Sequence, residues 1–344
     1  MPALLDRIVV ASLTVKVLPS PKLRLIARGG GFWMGDAFGE AESGKGGASV
    51  AVLWPGGQVE ELKLPKVKEP ELAFARGADA VGTIQARGGS HAALFKRSRE
   101  GIALTDLHSK AYAKTWARGC DGAQQVGGGE PKDSERNETA LLWTPDKVVE
   151  LHGPEPNRMT NAHGVADGIQ VGVYGPSSEQ HAMLWRGTTA SAVNLNPSDK
   201  HISEANAVAD GEIVGFSALG EWPDFVMRPC LWRGDAASWT DLLPDGYEGG
   251  SADHCAAGFQ VGVAHVTLKE EVSHAMLWGG SAKEFLDLHT AVKDFPFNRS
   301  SARALLIEGR KLRIVGSASV MTRDGTGPLY QKEHRAVVWE MELR

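Results

Sequence analysis

Imidazole is the side chain best suited to acid–base work near neutral pH and is a common metal ligand, and in this chain it recurs at fixed places. His91, His181 and His274 each open a short apolar motif, and His108, His152 and His289 each follow a leucine further on. A second set stands at another recurring position: His163, Asn206 and Asp253, flanked by alanines, with Arg303 in the same place near the end of the chain. Arg28, Arg76 and Arg118 come from an Ala-Arg-Gly that occurs three times. Gathered on one surface, such groups could move a proton or hold a metal, a small anion or a polar ligand.

No motif of defined chemistry accompanies them. There is no Gly-x-Ser-x-Gly, no His-Glu-x-x-His and no Asp-x-Asp-x-Asp loop, and Gly29-Gly30-Gly31 has no helix after it to hold a phosphate. Cys120, Cys230 and Cys255 form no Cys-x-x-Cys pair and read as buried reduced thiols. No cofactor and no metal are therefore expected. A formal net charge of -5 gives no general attraction to nucleic acid or anionic lipid. Asp6 and Arg7 interrupt the apolar N-terminus, and no stretch approaches the roughly 18 apolar residues of a membrane-spanning helix. The expectation is a cytoplasmic protein with neither a nucleic-acid nor a membrane partner.

The elements that must position these residues are read from repetition. His181-Ala182-Met183-Leu184-Trp185 returns as His274-Ala275-Met276-Leu277-Trp278, and weaker copies end at Trp54, Phe95, Trp143, Trp232 and Trp339. From Trp54 to Trp339 there are six steps that average a little under 50 residues. Upstream of each copy lies a landmark ending in glycine, clearest as Gln125-Val126-Gly127, Gln170-Val171-Gly172 and Gln260-Val261-Gly262. Before that comes an alanine-rich segment and a turn, and Asp121-Gly122, Asp167-Gly168 and Asp210-Gly211 read as two-residue hairpin turns. Downstream follows a short piece such as Leu104-Thr105-Asp106-Leu107 or Phe285-Leu286-Asp287-Leu288. With 41 glycines among 344 residues and almost no helical periodicity, each repeat supplies four short strands.

Four strands per repeat at this period predict an all-β chain, a seven-bladed β-propeller of four-stranded antiparallel blades. One domain spans 1–344, with blades at about 22–64, 72–107, 113–151, 160–195, 203–242, 251–288 and 301–344. The seventh repeat stops after its third strand, and Thr14 to Ser20 matches Ala192 to Ser198 in pattern. The N-terminal strand, 13–19, is therefore expected to be the outermost strand of the last blade, leaving no broken edge. The His-Ala-x-Leu-Trp strand, the x-Val-Gly strand and the Asp-Leu piece together resemble the bacterial HAF-type repeat family, with Trp where that family has Phe. The resemblance implies a β-propeller and no agreed activity.

This architecture sorts the candidate residues. Histidines on the third strands of separate blades cannot converge on one metal, and those after the fourth strand fall at an exposed rim. The repeated tryptophans fill the space between blades. Only the innermost strands bring side chains of different blades together. There His163, Asn206, Asp253 and Arg303 share a position that blades one to three give to Ile26, Phe74 and Trp116, with Arg28, Arg76 and Arg118 two residues later. These polar residues are the expected axial ligand-binding set.

The connections from second to third strand look long, as in Asp36 to Ser49, Phe216 to Met227 and Ser317 to His334, so one face should be elaborated. Trp222, Phe225, Tyr247, Phe295, Phe297 and Tyr330 would decorate it and suit a protein or peptide partner. The function expected is that of a non-catalytic binding or scaffolding module. An axial-channel enzyme or a receptor for a small polar or anionic ligand, and a glycan-binding propeller, are the alternatives.

Overall fold

The computed structural model describes residues 3–20, 26–42, 49–62, 64, 67–132, 138–155, 158–219, 225–269, 271–292, 294–322 and 330–344. The chain is a seven-bladed β-propeller of four-stranded antiparallel sheets. The blades span 26–61, 68–106, 112–151, 160–194, 202–241, 249–287 and 299–343, the last completed by Ile8–Val17. Blade 4 shows the plan: Thr160–Ala166, Ile169–Tyr174, His181–Trp185 and Val193–Asn194, paired in that order. No helix among the described residues is long and apolar enough to cross a membrane.

Two compact units are distinguished: Leu64–Thr240, holding blades 2 to 5, and Met1–Lys63 with Asp241–Arg344, holding blades 6, 7 and 1. In each unit the repeated tryptophan is a packing residue, as expected. Trp185 and Trp339 are fully buried. Their indole N–H groups donate to the carbonyls of His152 (2.8 Å) and Leu288 (3.0 Å) at the end of the preceding blade. A buried hydroxyl adds a second link between consecutive blades. Thr115, Thr160 and Ser203 in the first unit, and Ser300 in the second, each accept the backbone N–H of the preceding third strand, from Ala92, Ala140, Ala182 and Ala275, all at 2.9 Å. The three cysteines are buried and none is in a disulfide, and burial beside Asp79 pushes the Cys120 thiol up to about 12.

The N-terminal strand pairs antiparallel with the last strand of blade 7, from Ile8 opposite Leu343 to Val17 opposite Val337, and Leu18 N–H continues the ladder to Ala336. This is the closure expected, and it begins earlier in the chain. Leu4–Arg7 makes one helical turn, with Leu4 and Ile8 fully buried. The guanidinium of Arg7 lies 3.6 Å over the Phe259 ring and donates to the carbonyls of Ala257 and Gly258 in blade 6.

Two expectations about connections are corrected. Asp167-Gly168 and Asp210-Gly211 are two-residue turns with positive φ at both positions, but blade 3 pairs Cys120 with Gln125 across a four-residue link. There Asp121 Oδ1 accepts the N–H groups of Ala123 (2.9 Å) and Gln124 (2.8 Å), a local bond that stabilises the wider turn. The connections that looked long are mostly strand: Glu212–Leu219 faces Val226–Trp232, and Lys311–Thr322 faces Tyr330–Leu343. Alternating polar residues such as Ser317 and Ser319 looked like loop but continue the ladder.

Candidate functional site

The first strand of every blade carries a one-residue bulge. In blade 4, Ala162 pairs with Gly172 and Gly164 with Val171, so His163 is left out of the ladder and its side chain is freed from the pleat. The same interruption leaves out Ala73, Arg118 and Asn206 in the unit of blades 2 to 5, and Gly30, Asp253 and Arg303 in the other unit. The glycine of each Val-Gly landmark lies opposite this bulge. A Cβ on Gly172 would stand 2.0 Å from the Asn161 carbonyl oxygen, so no other residue fits. The landmark is thus the sequence mark of the bulge that presents the candidate residue.

The bulges correct the register expected for blades 1 to 3. The residues equivalent to His163 are Gly30, Ala73 and Arg118, in place of Ile26, Phe74 and Trp116. Arg118 therefore shares His163's own position instead of lying two residues beyond it. Arg76 sits at the turn opposite Asp79, away from the bulge, and the side chain of Arg28 lies outside the described residues. Gly30 and Ala73 precede their two-residue turns, Met34-Gly35 and Gly77-Ala78, by the same number of residues as His163 precedes Asp167-Gly168, so only the four-residue link of blade 3 breaks the count.

In the unit of blades 2 to 5, the structure brings Arg118, His163 and Asn206 onto consecutive bulges. His163 Nδ1 is 3.2 Å from Glu204 Oε1, and its side chain is 13% exposed. Burial first, and the Arg118 guanidinium second, hold the imidazole down to about 3, so it is neutral at physiological pH and the contact with Glu204 is not an ion pair. Glu204 also accepts from Gln180 Nε2 at 2.8 Å. Trp116 Nε1 donates to Asn161 Oδ1 (3.3 Å), whose amide in turn donates to Glu138 (2.8 Å). Arg118 is exposed and forms no ion pair among the described residues.

In the other unit, Asp253 and Arg303 satisfy each other. Arg303 NH1 is 3.0 Å from Asp253 Oδ2, and Ser251 Oγ donates to Oδ1 at 2.9 Å. Burial raises the Asp253 carboxyl above its usual range, opposed by Arg303 and Ser251. The carboxylate is 14% exposed and the guanidinium 57%.

The histidines after the fourth strand, His108, His152 and His289, are half-buried and not exposed rim residues. His274 Nδ1 bonds Asp287 (2.7 Å), His289 stacks on His274 with ring centroids 4.1 Å apart, and His289 Nδ1 meets Ser300 Oγ at 2.8 Å. Blade 2 repeats the arrangement: His91 with Asp106 (2.9 Å), His108 stacked at 3.7 Å, and Nδ1 of His108 3.0 Å from Thr115 Oγ1. In blade 4, Asn194 holds His181 (3.0 Å), and Asn196 takes the second ring's place and accepts from Ser203 (2.6 Å). Recurrence with Asn in place of Asp and His marks a blade-joining device that needs shape and hydrogen bonds, not acid–base chemistry. Among the described residues no group of three or more His, Cys, Asp or Glu side chains is arranged to hold a metal ion.

The aromatic face is also corrected. Tyr247 donates its hydroxyl to Asp287 at 3.0 Å and packs edge-on against His274 and Phe285. Phe297 is buried and stacks with Phe295 at 5.9 Å, Phe225 is half-buried, and only Phe295 of these four is well exposed. Tyr247 and Phe297 are thus engaged with neighbouring side chains. Trp222 and the side chain of Tyr330 lie outside the described residues.

No family model and no curated protein matches the chain. Among solved structures it is similar to a puromycin hydrolase (14% identity, TM-score 0.56, covering 92% of this chain and 54% of that one). It is also similar to a puromycin-hydrolysing peptidase of Mycobacterium tuberculosis (14%, 0.52, 93% and 55%). A third is an acylaminoacyl peptidase of Pyrococcus horikoshii (10%, 0.52, 89% and 52%). The chain spans about half the length of these structures. They correct the expectation of a non-catalytic binding or scaffolding module, because all three of these similar structures are hydrolases. At this identity what the likeness establishes is the β-propeller fold.

Proposed function

We propose that the chain serves peptide hydrolysis, as the propeller part of a peptidase-type hydrolase, and that Arg118, His163 and Asn206, on the first-strand bulges of blades 3 to 5, contact the peptide. The observation that carries the reading is the bulge itself. In the unit of blades 2 to 5, consecutive blades free one residue each from the ladder at equivalent positions, and in blades 3 to 5 that residue is Arg118, His163 or Asn206. Such side chains offer donors and acceptors to a peptide backbone and charges to its ends. The hydrolases with the same architecture support the reading.

The test is release of 4-nitroaniline from alanyl- and trialanyl-4-nitroanilide by the tagged protein purified gently from its native host, so that an associated hydrolase is retained. Release that falls about tenfold, roughly 1.4 kcal/mol, in a His163→Ala, Asn206→Ala variant is expected. Release from neither substrate overturns the reading.

A further inference from the structure

Arginine stands on the first-strand bulge twice, and the two copies have different neighbours. Beside Arg303 the preceding blade places Asp253 on its own bulge, and the two side chains meet at 3.0 Å. Beside Arg118 the preceding blade places Ala73, an exposed residue with a methyl where the other unit has a carboxylate. On its other side Arg118 has His163, which carries no charge to pair with it. Consecutive bulges are pressed together: a Cβ on Gly119 would come within 2.8 Å of the His163 carbonyl, and one on Gly164 within 3.2 Å of the Asn206 carbonyl. The chain's own Asp253–Arg303 pair shows what such spacing accepts, and among the described residues no acid completes it at Arg118.

We propose that Arg118, flanked by Ala73 and His163, binds a ligand carboxylate in the place that Asp253 takes beside Arg303, and that this ligand is the free C-terminal carboxylate of a peptide. The choice of a peptide rests on the hydrolytic reading above; the carboxylate rests on the bulge geometry alone. A guanidinium presents a planar fork that matches a carboxylate in two hydrogen bonds, and His163 and Asn206 supply uncharged polar neighbours that do not compete for it. The low charge of His163 matters here, since a protonated ring beside Arg118 would draw anions without selecting this geometry.

The experiment is titration calorimetry of the full chain with N-acetyl-trialanine, its C-terminal amide, and N-acetyl-Ala-Glu-Ala amide. The free acid is expected to bind at least tenfold more tightly than the amide. Arg118→Gln should abolish that preference, and Arg118→Lys should keep part of it. Ala73→Asp should abolish it as well, by supplying the missing acid from the preceding blade at an exposed position that leaves the fold intact. Equal binding of acid and amide, absence of binding, or a preference that survives in Arg118→Gln or Ala73→Asp overturns the proposal. Preference for the glutamate-containing amide overturns its assignment to a peptide C-terminus. If no hydrolysis is found but the acid is preferred, the hydrolytic reading falls and the carboxylate site stands.

Discussion

His274 and His289 show how one residue type takes a role that its recurrence alone does not reveal. The rings stack 4.1 Å apart, so both cannot carry a proton without repulsion across the stack. Burial first, and His274 second, hold His289 down to about 4, against the nearby charge of Asp287. The groups facing it are His274, Asp287 and Ser300. Because the folded ring titrates below the unfolded value of about 6.5, the unfolded chain binds more protons between those two pH values. The stabilisation is therefore complete above about 6.5 and is lost as pH falls toward about 4. His289→Asn reproduces Asn196 of blade 4 and should reduce by a few degrees the fall in melting temperature between pH 7.5 and 5.0; an equal fall in both proteins would refute this. That histidines recur at two positions was legible in the sequence. That they stack was not, because the contact depends on how the chain leaves the fourth strand.

At the scale of the strand, the bulge governs where the polar residues point. Its sequence signal was present all along in the glycine of the Val-Gly landmark, whose meaning became clear only opposite a bulged carbonyl. Gly172→Ala places a Cβ against the backbone of Asn161 and Ala162 on the facing strand. We expect it to cost more than about 2 kcal/mol of stability, read as a lower midpoint in urea; an unchanged midpoint would show that the bulge relaxes freely. Blades 4 to 7 carry a polar residue on the bulge, which marks the position, whereas blades 1 and 2, with the same two-residue turns, carry Gly30 and Ala73 there and give no such mark. Blade 3 was misplaced because Asp121 to Gln124 inserts two further residues, and the period-two alternation that should have revealed the error is itself broken at the bulge. The buried Thr and Ser hydroxyls that receive the third-strand N–H groups gave no signal, since the pattern spans two repeats.

For the whole molecule, the decisive inference from sequence was that the chain's beginning completes its last blade. Removing residues 1–20 would strip the strand beside Trp339 and uncover the pocket filled by Leu4 and Ile8. Each such side chain contributes about 2 kcal/mol by burial, so a melting temperature lower by roughly 10 °C or more is expected. Truncated protein that melts with the full chain would contradict the closure. The sequence by itself determined the number of blades, the strands in each and the origin of the last one, because repetition, strand alternation and turn residues are local signals that accumulate over seven copies. Only the tertiary structure decided which side chains meet. The Asp253–Arg303 pair, the position of Arg118 after Ala73 of the preceding blade and the stacked histidines all depend on bulges and on register between neighbouring blades, distances across which a one-residue shift changes the partner and leaves the repeat pattern unaltered.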